Sequence, residues 1–243
     1  MPPKEIYLSI VVPAYKEEER IHKILDAIKK YQNSHSFLTE TIVVVDGSPD
    51  KTAESAKKYG KDVENLRIVD RKENKGKGYS VKEGALQAIG KYILFTDADN
   101  STPIEQVDKL LKYIEEYEVV IGSRYCDGGK LAKKQPFYRI FGSRVLNMII
   151  QLLAARGIKD TQCGFKLFQE KAAQEIFKRQ TFDRFSFDIE LLAIARKLGY
   201  KTKEVGITWY DDPHSTVNPI KDGIQMVKDS VKVRKNITLG KYR

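Results

Sequence analysis

Two cysteines, one tryptophan, three histidines and eight prolines among 243 residues leave several protein classes without material. Cys126 and Cys163 cannot make a disulfide framework, and their scarcity fits a reducing cytosol. The longest mostly apolar segment, Phe137 to Ala155, is interrupted by Arg139, Arg144 and Asn147, which makes it too polar for a membrane span. Met1 to Glu5 begins no secretory signal, because no apolar stretch follows a basic start. No low-complexity linker and no internal repeat divides the chain, so its 41% hydrophobic content is expected to build one large α/β domain.

What the chain has in excess is positive charge. Its net charge of +10 calls for an anionic partner, and phosphorylated substrates or an anionic membrane surface would both answer it. The basic residues are spread along the chain with no recognisable nucleic-acid module, so nucleic acid is set aside.

The stretch Tyr92 to Glu105, YILFTDADNSTPIE, organises the rest. An apolar run ends in Asp97 and Asp99, and residues two apart in a strand point to one side, so both carboxylates can face one site. Thr102, Pro103 and Glu105 offer an N-cap, a first-turn proline and the third-position acid of a capping box. In open α/β sheets ligands bind beyond the carboxyl ends of the strands, and two convergent carboxylates suit Mg2+ or Mn2+ beside a substrate phosphate. For an isolated DAD, a polar strand end with a capped helix is the plainer alternative.

Around it, hydrophobic patterning alternates between strand and helix. Ile6 to Val12 reads as a buried parallel strand ending at Pro13, with Tyr15 and Glu17 on the next turn. Ile21, Ile24, Leu25 and Ile28 define a helix. Thr41 to Val45 is a strand stopped by Asp46-Gly47-Ser48-Pro49-Asp50, with a helix from Lys51 to Tyr59. Leu66 to Val69 precedes Asn74-Lys75-Gly76-Lys77-Gly78, a glycine-interrupted basic turn before a helix from Tyr79 to Ile89. Such a turn is either phosphate-binding or simply solvated. Ile104 to Tyr117 is expected as a helix and Val119 to Ile121 as a strand ending at Arg124, a candidate for a phosphate or for an ordinary ion pair. The alternation predicts a doubly wound, mostly parallel sheet with helices on both faces.

Further on, Pro136 to Arg156 reads as a helix that is either buried or interfacial, and Asp160 to Phe168 as irregular and then strand-like. Phe182 to Leu198 reads as a helix carrying Asp188 and Glu190, with Asp188 either a site residue or a first-turn acid favoured by the helix dipole. Val205 to Tyr210 is a last strand and Asp211 to Asn218 a polar loop in which His214 receives no role. Ile220, Ile224, Val227 and Val231 form a helical stripe beside Lys221, Lys228, Lys232 and Lys235. That helix could lie on anionic lipid or dock on its own core. Residues 1–218 are thus expected as the main α/β unit, the catalytic one if the chain is an enzyme, with 219–243 a C-terminal amphipathic basic helix and tail of the same domain.

In order and interval, VPAYKEEERI, VVVDGSPDKT, NKGKG, FTDADNS and IGSRY resemble a family 2 glycosyltransferase of the GT-A, Rossmann-like fold. DTQCGFKLF, DRFSFDIELL, the Trp209 strand and QMVKDSVKVR are similar to the branch that makes dolichyl-phosphate glucose and, more loosely, dolichyl-phosphate mannose. The resemblance runs from about Ile6 to Arg234. It implies that Pro13, Tyr15, Glu17 and Asp46 hold the nucleotide with Lys75, Gly76 and Lys77 nearby. It implies that Asp97 and Asp99 hold a divalent ion on the donor diphosphate. Arg124 matches an arginine near the phosphates, and Arg139, Lys166 and Ser215 fall where acceptor phosphate is handled or a loop closes.

Three positions depart from the pattern: Val45 replaces the first of a paired Asp, Lys16 an Asn, and Thr216 a Lys. Family members often carry a membrane helix at one end. None is expected here, so membrane contact would be peripheral, on the cytoplasmic face. The activity implied is inverting transfer of a hexose, from UDP-glucose or alternatively GDP-mannose, to a polyprenyl phosphate. Such an acceptor is already an anion, whereas a sugar hydroxyl would need a base, for which Asp188 is the candidate. A non-catalytic membrane protein that keeps the fold is the alternative of another class.

Overall fold

The computed structural model describes residues 5–131, 148, 150–151, 153–210 and 219–242. Seven strands form one sheet in the order β3-β2-β1-β4-β7-β5-β8. They are β1 Leu8–Ala14, β2 Thr39–Val45, β3 Leu66–Asp70, β4 Tyr92–Thr96, β5 Val119–Ser123, β7 Phe165–Gln169 and β8 Thr202–Gly206. β6 Lys130–Leu131 and β9 Thr208–Trp209 pair in a small second ribbon. All pairings in the large sheet are parallel except those of β7, which runs antiparallel to both β4 and β5.

Alternation along the strands sends side chains into two cores. Val11, Ile42 and Val44 face one layer with Val81 and Ala85 of α3 Lys77–Gln87, together with residues of α5 Glu170–Arg179 and α6 Phe187–Lys197. Ile10, Val12, Val43 and Val45 face the other with α1 Ile21–Ser34, α2 Thr52–Tyr59 and α4 Val107–Leu111. The four residues whose spacing predicted α1, Ile21, Ile24, Leu25 and Ile28, are completely buried, each worth about 1.5–3 kcal/mol of burial.

Several boundaries differ from expectation. β1 runs through Pro13 to Ala14, because its pairing with β4 has ended at Val11 and the proline lies beyond that ladder. Residues 104–117 are not one helix: a 3-10 turn, Ile104–Gln106, leads into the five-residue α4, and no side chain caps the start. The capping box read from Thr102 and Glu105 is therefore not formed. The helix expected from Phe182 begins only at Phe187, since Glu190 accepts the amides of Thr181 and Phe182 and holds them outside it. The last strand is broken at Ile207 into β8 and β9. Most of the helix expected over Pro136 to Arg156, with Arg139, and the loop holding His214 and Ser215 lie outside the described residues.

The C-terminal helix, α7 Pro219–Thr238, presents a different face from the one its pattern implied. Met226, Ser230 and Val233 are buried, and Asp229 accepts the Ser186 hydroxyl at 2.7 Å. Tyr242, beyond the helix, is completely buried, with its hydroxyl on Glu190. Ile224 and Val231 are 56% and 52% exposed, on the side that carries the exposed Lys228, Lys232 and Lys235. The docking stripe is thus rotated from the apolar one, because a serine–aspartate bond and Met226 fix the contact.

Candidate active site

The acidic pair lies just past β4, which ends at Thr96, so Asp97 and Asp99 converge through the turn and not through strand pleat. Asn100 holds the turn in a left-handed conformation at φ 56°, and Asp99 Oδ1 accepts the Ser101 amide at 2.8 Å. Burial, then the neighbouring Asp97 charge, push the Asp99 carboxyl above its ordinary value.

The antiparallel β7 completes this edge. Its register sets Phe165 opposite Thr96, which carries the residue before it, Gly164, against Asp97. A Cβ on Gly164 would stand 2.6 Å from Asp97 Cγ and closer still to Oδ2, so only glycine leaves the carboxylate where it is. One residue into β7, Lys166 is completely buried. Its ammonium donates to Asp188 and to the Cys163 carbonyl at 2.6 Å, and lies over the Phe95 ring. Lys166 was expected at an acceptor phosphate, but it is buried as the partner of Asp188 and offers no exposed surface. Asp188 comes from the first turn of α6 and is 5% exposed. Burial raises its pKa, partly opposed by Lys166 and Lys77.

Lys77, the first residue of α3, reaches into the same cluster, with its Nζ 2.5 Å from Asp97 Oδ1. Burial works against its charge, but Asp97, Asp188 and Asp99 outweigh it, so its pKa is raised. Three carboxylates and two lysines therefore meet at the end of β4, drawn from four separate elements.

The glycine turn is braced from behind by Asp46. The amides of Lys75 and Gly76 both donate to its carboxylate at 2.8 Å, Arg71 donates to it as well, and Asn74 Nδ2 bonds the Asp46 carbonyl at 3.0 Å. Those two amides, in a turn read as either phosphate-binding or solvated, are thus committed to the protein. Gly76 has φ 107°, and a Cβ there would strike the Asp183 carbonyl; only glycine suits both demands. Lys75 is exposed and lies over the Tyr79 ring.

On the neighbouring strand end, Pro13 is within β1, Tyr15 is exposed, and the buried Glu17 accepts Arg20. Lys16, where the family pattern has Asn, is left-handed at φ 58°, a region that Asn enters more readily than Lys. Val45, in place of an acid, is buried in the apolar layer.

Arg124, at the end of β5, is held by Asp160, which accepts from its Nε and Nη2 at 2.8 Å and its amide at 2.9 Å. Asp160 is completely buried, and the guanidinium also lies over Trp209. The bidentate fork that a phosphate would use is therefore already engaged by protein. Burial opposes the Arg124 charge, but Asp160 more than offsets it, so its pKa rises. Cys163, between this pair and Asp97, is pushed up to about 12 by burial and then Asp160, which keeps it a neutral thiol.

Gly164, Asp160 and Arg71 were not singled out by sequence reasoning. The glycine of TQCGF and the aspartate opening that segment were visible, but nothing local says that β7 is antiparallel.

The donor set fits a hard divalent ion. Asp97 and Asp99 supply carboxylate oxygens, and Asn100 Oδ1 is a buried oxygen that accepts no hydrogen bond among the described residues. Among the described residues no three His, Cys, Asp or Glu side chains are placed to hold one metal ion together, so remaining ligands would come from substrate or water.

A mostly parallel sheet with a carboxylate pair past its central strand, flanked by a lysine-bearing glycine turn, defines a glycosyltransferase of the GT-A type. The chain belongs to glycosyl transferase family 2, whose model matches residues 9–177. It is 37% identical to a dolichyl-phosphate beta-glucosyltransferase of Dictyostelium discoideum, over 100% of this chain and 78% of that protein. It is 34% identical to that of Saccharomyces cerevisiae, over 99% and 78%. Among solved structures, mannosyl-3-phosphoglycerate synthase from Rubrobacter xylanophilus superposes with a TM-score of 0.71 at 17% identity, covering 97% of this chain and 75% of that one. Glucosyl-3-phosphoglycerate synthase from Mycobacterium tuberculosis, in complex with Mn2+, UDP and glucosyl-3-phosphoglycerate, gives 0.65 at 20% identity, covering 96% and 80%.

Proposed function

We propose that this chain transfers glucose from UDP-glucose to dolichyl phosphate or a related polyprenyl phosphate, with inversion at the anomeric carbon. The observation that carries the reading is the convergence of Asp97 and Asp99 with Lys77 and Asp188 at the end of β4. The sugar and acceptor follow the relatives, which are dolichyl-phosphate beta-glucosyltransferases. Pro13, Tyr15, Glu17 and Asp46 bound the nucleotide side, with Asp46 acting through the turn it braces. Asp97 and Asp99 would hold a Mg2+ or Mn2+ ion, which would supply Lewis-acid neutralisation of charge on the departing diphosphate. Lys77 adds a preorganised positive charge, and Arg124 holds the β5 end in place. Arg139 and Ser215 keep their proposed place at the acceptor phosphate, and Lys166 is reassigned to positioning Asp188.

The Lys166–Asp188 pair favours a phosphate acceptor over a sugar hydroxyl. A phosphate is an anion near neutral pH and needs no base, whereas proton abstraction by Asp188 would have to break a buried ion pair. No helix among the described residues is long and apolar enough to cross a membrane. The outward stripe of Ile224 and Val231 with Lys228, Lys232 and Lys235 suits peripheral contact with an anionic membrane where such a lipid resides.

The test is donor consumption by the purified chain with Mn2+ or Mg2+, UDP-glucose and GDP-mannose in parallel, with and without a short polyprenyl phosphate. UDP-glucose should be consumed only when the lipid phosphate is present, and Asp97→Ala with Asp99→Ala should be silent. Consumption of GDP-mannose alone, or equal consumption without lipid phosphate, would overturn the donor or the acceptor assignment respectively.

A further inference from the structure

We propose that Lys77 is an internal counter-cation of Asp97 that must leave this carboxylate before a divalent ion can take it, so that metal binds well only together with a diphosphate-bearing nucleotide. This rests on the glycosyltransferase reading and goes beyond it by making the two binding events interdependent through one lysine.

The geometry of Asp97 leaves an arriving ion little choice. Oδ1 faces the Lys77 ammonium at 2.5 Å, and the carboxylate is backed by Gly164, where not even a Cβ would fit. It therefore cannot swing away from the lysine toward β7.

The root of Lys77 is equally fixed. The turn before it is tied to Asp46 through the Lys75 and Gly76 amides, and Gly76 rests on the Asp183 carbonyl. What can move is the four-carbon stem, whose side chain is 27% exposed. Asp188 belongs to the same cluster, and its charge favours the Lys77 ammonium. Asp188 is itself held by Lys166 from the other side, so it remains where a displaced ammonium would find it.

Charge decides when the exchange is favourable. A divalent ion alone would crowd against Lys77 and Lys166 with three carboxylates to share. A nucleoside diphosphate brings further negative charge, gives the ion phosphate ligands and gives Lys77 a new anion. Metal should then raise nucleotide affinity by the factor by which nucleotide raises metal affinity.

The experiment is Mn2+ binding to the full chain, read from the electron paramagnetic resonance of free Mn2+, with and without saturating UDP. Wild type is expected to bind Mn2+ much more tightly when UDP is present. Lys77→Met should bind Mn2+ without UDP about tenfold more tightly than wild type, the effect of removing one competing part-buried ion pair, and lose most of the UDP enhancement. Lys77→Arg should behave as wild type. If Lys77→Met gains no affinity without UDP while wild type still binds Mn2+ with UDP, the counter-cation role is overturned and the glycosyltransferase reading stands. If wild type binds no Mn2+ even with UDP, both fall. Should Lys77→Met lose its circular dichroism, Lys77→Gln carries the same comparison.

Discussion

The two halves of the sheet secure their site residues by different means. On the β3-β2-β1-β4 side, every pairing is parallel, and the turn past β2 is a centre of hydrogen bonds from nearby turns. Asp46 gathers the 74–76 turn, while Asp50 accepts the Thr52 amide and hydroxyl. That half also holds a long-range pair, Arg71 with the buried Asp46, but on the β7-β5-β8 side charge pairs between distant segments are the main device. Lys166 meets Asp188 across 22 residues and Arg124 meets Asp160 across 36, with one member of each completely buried. A turn hydrogen bond can be replaced by water when it fails. A buried charge that loses its partner cannot be, so the second half should be the less forgiving.

The sharpest test is Lys166→Met, which strands the carboxylate of Asp188 in a buried site. We expect a loss of about 3–5 kcal/mol in urea unfolding, with most of it recovered when Asp188→Asn is added. A loss no larger than that of the turn variants below would end the comparison.

Gly164→Ala should come next. The added Cβ would displace Asp97, so activity is expected to fall about 100-fold, equivalent to about 2.7 kcal/mol, while circular dichroism stays that of wild type. Full activity would mean that the exact seat of Asp97 does not matter.

In the parallel half, Asp46→Asn removes the charge that Arg71 and the Lys75 and Gly76 amides share. We expect about 2 kcal/mol of destabilisation in thermal unfolding and weaker UDP binding by calorimetry. Unchanged UDP affinity would separate the turn from the nucleotide site.

The smallest expected effect is that of Asp50→Ala, about 1 kcal/mol at neutral pH. Burial of Asp50 works against its charge, but hydrogen bonds from Ser48 and Thr52 outweigh it and hold the carboxyl below its ordinary value of 3.8. Its stabilisation is therefore present above pH 3.8 and lost as pH falls through the lower folded value. The difference between variant and wild type should shrink toward zero in that acid range, as urea titrations across pH would measure.

This division also marks what was legible. Strand and helix periodicity located β1 to β5 and α1 to α3, because each buries a face whose spacing is written locally. The acidic pair and the basic glycine turn were likewise visible as contiguous motifs. Their use was less so: Lys75 and Gly76 were expected near the nucleotide, yet their amides face Asp46. By resemblance Lys166 fell where acceptor phosphate is handled or a loop closes, yet it is completely buried beside Asp188. Thr102 and Glu105 spell a capping box, yet the chain turns too tightly there to form it.

By itself, then, the sequence determined the alternating elements, the carboxylates past the central strand and the family whose ordered motifs they match. Only the tertiary structure decided which groups meet them. β7 enters antiparallel between β4 and β5, and that reversal brings Gly164 under Asp97 and Lys166 beside Asp188. Periodicity records which face of an element is apolar. It carries no term for strand direction or sheet order, which are settled by how distant segments bury their charges and apolar faces together.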